Sequence, residues 1–120
     1  MTLRTSWMLC ACLWLAGCAG PQLSHYQLSA LNRGMQPAEV FAKTQVPYRL
    51  RMPVQLDGRA FEIERYRLYN GMGSDAYYLA YEDGRLTYWG YLSEFRRHRD
   101  AVLVRAVDQV AAAPDPVPAR

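Results

Sequence analysis

Ala76-Tyr77-Tyr78-Leu79-Ala80-Tyr81-Glu82, then Asp83-Gly84, then Arg85-Leu86-Thr87-Tyr88-Trp89-Gly90-Tyr91-Leu92, reads as two β-strands closed by a two-residue turn. Asp-Gly suits a turn in which both central residues take positive φ, the geometry that matches the twist of the strands. Aromatic residues fill both arms, as suits a pleated, half-buried surface. Counting outward from the turn sets Tyr81 opposite Leu86, Leu79 opposite Tyr88 and Tyr77 opposite Gly90. The other face then pairs Glu82 with Arg85, Ala80 with Thr87 and Tyr78 with Trp89, with Tyr91 beyond. Both faces are apolar or aromatic, so one hydrophobic layer cannot cover them both.

Upstream, Tyr48, Leu50, Met52, Val54 and Leu56 alternate with Arg49, Arg51 and Gln55, the period of a half-buried strand. Pro53 has no N–H to give to a ladder, which assigns this strand to a sheet edge. Asp57-Gly58 repeats the hairpin signal and leads into a second strand, Arg59 to Tyr69. Its apolar set changes parity, from Phe61 and Ile63 to Tyr66 and Leu68, which predicts a bulge or bend near Glu64-Arg65. The glycine-rich loop Asn70 to Asp75 joins it to the aromatic hairpin. Two short helices are expected before the sheet. Leu23 to Asn32 carries Leu28 and Leu31 three apart and should end at Arg33-Gly34. The second starts near Gln36, with Pro37 at its first position and Glu39 in its first turn, where the helix dipole favours a carboxylate. Val40 and Phe41 should face inward, and Pro47 ends the helix. After the hairpin, Asp100 to Ala112 carries Leu103, Ala106, Val107 and Val110 on one helical stripe; Ser93 to Arg99 fits neither period clearly.

These elements define one α+β domain over residues 23–112: two short N-terminal helices packed on a three- to four-stranded antiparallel sheet, with an added C-terminal helix. The ends are of another kind. One cation, Arg4, precedes the apolar run Trp7 to Ala16, the layout of an export signal over residues 1–17. That run is too short to cross a bilayer, which takes roughly 20 apolar residues. Leu15-Ala16-Gly17-Cys18 resembles a lipobox, where small residues fit a peptidase cleft and the cysteine thiol receives diacylglycerol. The competing reading is a plain signal with an incidental cysteine; spacing, apolar length and small residues together favour lipidation at Cys18. Residues 18–22 would then be a lipidated tether. At the far end, residues 113–120 are proline-rich without apolar periodicity and are expected to be disordered.

Composition agrees. Of the three cysteines, Cys10 and Cys12 leave with the signal and Cys18 is acylated, so the mature domain has no thiol and rests on a packed core. The remaining 103 residues suit one domain, and the formal charge falls from +3 to +2 with the loss of Arg4. That is too mild to argue a nucleic-acid partner. Arginine supplies 13 of the 14 basic residues, which reads as genome composition.

The helix-helix-strand-strand-strand order, the lipobox-like start and one phrase, Gly34-Met35-Gln36-Pro37-Ala38-Glu39-Val40 followed by Pro47, together resemble the small outer-membrane lipoproteins of the SmpA/OmlA, or BamE-like, group. Tyr81-Glu82-Asp83-Gly84-Arg85-Leu86 is similar to that group's final hairpin. The chain departs from the pattern at Thr44 and Gln45, where Leu and Gly are usual, and in the helix after Leu92. The resemblance implies palmitate-type acylation at Cys18, sorting to the periplasmic face of the outer membrane because Ala19 rather than Asp follows, and a non-catalytic accessory role beside the barrel-assembly machinery. The alternative on the same scaffold is a pilotin or a periplasmic inhibitor.

No catalytic constellation, cofactor site or metal site emerges from the residues. His25 sits near the tether and His98 inside an arginine run. Glu62 and Glu64 share one strand face, where paired carboxylates can do acid/base work; the plainer expectation is a solvated face. Gly71-Met72-Gly73 is followed by a strand, not the helix N-terminus that would bind an anion, and reads as a flexible loop. Two binding surfaces are expected. Tyr78, Trp89 and Tyr91 form an aromatic patch for a protein partner, unless the Asp100–Ala112 helix folds back over it. Arg96, Arg97 and Arg99 offer contacts to anionic lipid, unless they pair with Glu94 and Asp100.

Overall fold

The computed structural model describes residues 21–116, so the expected export signal over residues 1–17, the expected lipidation site Cys18 and the last four residues lie outside it. The elements are α1 (His25–Leu28), α2 (Pro37–Thr44), β1 (Leu50–Leu56), β2 (Arg59–Tyr69), β3 (Ser74–Glu82), β4 (Arg85–Gly90), α3 (Leu92–Arg96) and α4 (Ala101–Ala111). The strands form one antiparallel sheet in the order β1-β2-β3-β4. β1, with Pro53 in it, is an edge strand. Both short turns have the expected backbone, with φ of 51° at Asp57 and Asp83 and of 75° and 79° at Gly58 and Gly84.

Two layers cover the sheet. Leu31, Met35, Val40 and Val46 pack with Tyr66, Leu68, Leu79, Tyr81 and Leu86 on one face. On the other, Phe95 of α3 and Leu103, Ala106, Val107 and Val110 of α4 pack on Val54, Phe61, Ile63, Tyr78 and Ala80. This three-layer α+β arrangement accounts for the two apolar faces of the aromatic hairpin. All four residues of the α4 stripe are buried, and Asp100 caps the helix by accepting from the Leu103 N–H at 3.2 Å.

Four local expectations are corrected. The bulge is not in β2, which pairs with β1 and β3 without interruption. The parity change instead marks where cover passes from one helical layer to the other. The irregularity lies in the β3–β4 pair, where Thr87 is the extra residue and its hydroxyl donates to the Ala80 carbonyl at 3.1 Å. Beyond it Ala80 faces Tyr88, Leu79 faces Trp89 and Tyr78 faces Gly90, one residue out from a simple count. The first helix is short, because Leu23 pairs in parallel with Leu68 and Ser24 caps only the single turn of α1. Phe41 is half exposed, since a two-turn helix aims only Val40 and Thr44 at the core. The segment from Ala113 to Pro116, expected to be disordered, has no regular structure yet is fastened. Arg65 donates to the carbonyls of Val110 and Ala113 and to Asp115, each at 2.6 Å.

Candidate binding groove

α2 runs beside the start of β1, and the turn between them carries Gln45 in the left-handed region at φ 57°. That is the position a glycine usually takes at a helix end; here the Gln45 side chain compensates by donating from Nε2 to the Ala42 carbonyl at 3.1 Å. The reversal leaves a groove of about 590 Å³ between helix and sheet. Its walls are Phe41, Val46, Pro47 and Tyr48, and its floor is Arg51, Glu64 and Tyr66. Phe41 and Tyr48 are 50% and 47% exposed, so both present apolar surface to anything that enters.

The floor is charged, and its carboxylate is buried. Glu64 is only 2% exposed, far from the solvated strand face expected of it. Its Oε1 accepts from the Tyr66 hydroxyl at 2.9 Å, and its Oε2 lies 4.0 Å from Arg51 Nε. Arg51 Nη2 is hydrogen-bonded to Glu62. Burial raises the Glu64 carboxyl above its ordinary pKa and outweighs the opposing pull of Tyr66, Tyr81 and Arg51. The same burial, with the neighbouring carboxylate, drives the hydroxyls of Tyr66 and Tyr81 far up. Two buried polar atoms here, Arg51 Nε and the Tyr81 hydroxyl, find no partner among the described residues within ordinary hydrogen-bond geometry. Unsatisfied buried polar groups are rare in folded proteins, and these two flank one carboxylate.

The residues expected to form an aromatic patch are not brought together. Tyr78 is 3% exposed beneath α3, 6.4 Å from the Phe95 ring. Trp89 and Tyr91 pack against the opposite core, where Tyr91 meets Tyr77 edge-on at 5.1 Å. The slip at Thr87 is the cause, since one extra residue sends Trp89 to the far face. A wide hollow of about 640 Å³, larger than the groove but built from partly exposed side chains, is lined by Tyr88, Glu94, Arg97, His98 and Arg99. Arg97 and Arg99 therefore do converge, while Arg96 turns to Asp108 at 3.3 Å. Neither acid expected to neutralise them does so: Glu94 accepts from the Tyr91 N–H at 3.0 Å, and Asp100 is held by Arg59. Among the described residues no cluster of three metal-binding side chains exists, and no helix is long and apolar enough to cross a membrane.

Sequence alone hides the groove, because it aims Phe41 at the core and Glu64 at solvent. The one available signal was the parity change at Glu64-Arg65. No family model, curated protein or solved structure matches the chain.

Proposed function

We propose that this chain is a lipid-anchored binding module at the periplasmic face of the outer membrane, a BamE-like accessory factor in outer-membrane assembly or envelope integrity. The observation that carries the anchor is Leu15-Ala16-Gly17-Cys18 behind an apolar run too short to span a bilayer. The groove beside α2 supports the binding role. Half-exposed aromatics concentrate contact energy at protein interfaces, and the floor sets the Glu64 carboxyl near the Arg51 guanidinium, which is itself bonded to Glu62 outside the groove. The partner that suits it is a protein segment bringing an apolar side chain between Phe41 and Tyr48 and a hydrogen-bond donor, cationic or neutral, towards Glu64.

Two measurements test this reading. Intact mass of the purified protein should show loss of residues 1–17 and acylation at Cys18; an unmodified chain that keeps its first seventeen residues would falsify the anchor. A photo-crosslinking residue at Tyr48 in intact cells should then capture a component of the barrel-assembly machinery, and Phe41→Ala should reduce the yield at least fivefold. A secretion-ring subunit or a lytic enzyme in its place would turn the reading to a pilotin or an inhibitor.

A further inference from the structure

Exposed apolar side chains are concentrated at one end of the sheet. Among the described residues the large exposed ones are Tyr26, Phe41, Tyr48, Tyr69 and Met72, at 87%, 50%, 47%, 54% and 100%. Phe41 and Tyr48 are walls of the groove. The other three lie where β2 ends and β3 begins. Tyr69 is the last residue of β2, and its N–H donates to the Leu23 carbonyl at 3.0 Å, which places α1 and Tyr26 beside it. Met72 tops the loop that follows, in a turn fixed by the Asn70 side chain, which accepts from the Met72 N–H at 3.0 Å. Arg49 is tied in beside them, its N–H donating to the Arg65 carbonyl at 2.7 Å.

The chain enters the fold at the same end. Pro21 lines one hollow with Tyr48, Arg49 and Asp115. Only three peptide steps separate Pro21 from Cys18, and three steps span at most about 11 Å. If Cys18 is acylated, the end carrying Pro21 is held against the bilayer surface. We infer that the end of the domain bearing Tyr26, Tyr69 and Met72 rests in the headgroup layer of the membrane that anchors it, an inference that depends on the lipoprotein reading above.

The chemistry suits that layer. Tyrosine puts an apolar ring and a polar hydroxyl into one side chain and is enriched where membrane meets water, and a fully exposed Met has nothing else to bury it. The charges at this end are Arg49, Arg65 and Arg67 against Asp75 and Asp115. Asp115 is already bonded to Arg65 and lies 3.6 Å from Arg67, and Asp75 accepts from Asn70 at 2.7 Å. The balance is mildly cationic, which anionic headgroups tolerate. The arginine turn expected to touch lipid sits elsewhere. It leads into Asp100, which is bonded to Arg59 at the opposite end of β2. Eight residues of strand separate Arg59 from Arg67, about 26 Å at 3.3 Å each, so resting the tethered end on the bilayer lifts Arg97 and Arg99 away from it.

The test uses the full chain, processed in cells and reconstituted into vesicles of phosphatidylethanolamine and phosphatidylglycerol. With Cys18 acylated, a single introduced cysteine is the only free thiol. Met72→Cys and Tyr69→Cys report the tethered end; Ala60→Cys, exposed near the opposite turn, is the reference. Each carries an environment-sensitive fluorophore, read against a quencher borne on lipid headgroups. Labels at 72 and 69 should be quenched at least threefold more than at 60, with blue-shifted emission. Equal quenching at all three positions, with the protein still floating with the vesicles, overturns the inference and leaves the anchor intact. A protein that does not float with them overturns the anchor and this inference together.

Discussion

Glu64 and Arg65 are neighbours in the chain, point to opposite faces of β2, and are both nearly excluded from water. Each is the polar hinge between one core and the next, and each resolves its burial differently. Arg65 gives its guanidinium to two carbonyls at the end of α4 and to Asp115, so its charge is matched by a carboxylate and by the negative end of a helix. Glu64 has one hydroxyl donor and a guanidinium at the limit of contact. Its raised pKa has a definite sign for stability. A carboxyl that holds its proton more tightly when folded contributes fully below its unfolded pKa, and the contribution is lost as pH rises through the folded value. Glu64→Gln keeps an oxygen for the Tyr66 hydroxyl and never ionises. It should therefore melt higher than the parent at pH 8, and the gain should shrink towards zero at pH 4. Thermal unfolding of both proteins at the two pH values checks this. A variant that loses stability at pH 8 and not at pH 4 would mean that Arg51 outweighs desolvation.

At the scale of elements, α4 shows how a polar cap fixes a packed helix. Asp100 accepts from the first turn of α4 while two Arg59 nitrogens bond it at 2.9 and 2.7 Å, and Arg59 also holds Glu82 at 2.8 and 2.7 Å. One guanidinium thus joins the start of β2, the end of β3 and the start of α4. The Asp100 carboxyl is held down to about 2, chiefly by Arg59 and then by the backbone N–H of Leu103. A depressed carboxyl contributes stability above its unfolded pKa and loses it as pH falls, here between about 4 and 2. Asp100→Ala should destabilise by about 1 kcal/mol at pH 7 through the lost cap, with at most a modest addition from the half-solvated ion pair. The difference from the parent should narrow as pH falls from about 4 to 2, and urea titrations at pH 7, 4 and 2 read it directly; a gap as large at pH 2 as at pH 7 would place the effect in packing. The stripe of α4, the start of α2 at Pro37, the edge position of β1 and both Asp-Gly turns were legible, because each rests on local periodicity or backbone chemistry. The slip at Thr87 was not: a threonine in an alternating strand carries no bulge signal, so a simple count puts Tyr78 and Trp89 on one face. Nor was the groove, whose shape depends on how α2 and β1 lie against each other and not on either alone.

The whole molecule is one sheet with a core on each side, and its central strands serve both. β2 gives Phe61 and Ile63 to the α4 side and Tyr66 and Leu68 to the α2 side; β3 alternates Tyr78 and Ala80 with Leu79 and Tyr81 in the same way. A strand that loses cover on one face exposes apolar side chains there and weakens the backbone pairing on which the other face depends. The two layers should therefore unfold as one cooperative unit, as single domains of this size usually do. Trp89 is the only tryptophan among the described residues, and it packs on the α2-side core, so its fluorescence reports the face away from α4. Leu103, 3% exposed, lies wholly in the α4-side core. Leu103→Ala should cost about 2–5 kcal/mol. The signature of a shared sheet is that Trp89 fluorescence and far-UV circular dichroism move together to the same lower urea midpoint, although the cavity is on the other side of the strands. If the fluorescence midpoint holds while the helical signal falls first, α4 is a separable layer, and the α1–α2–sheet portion stands without it.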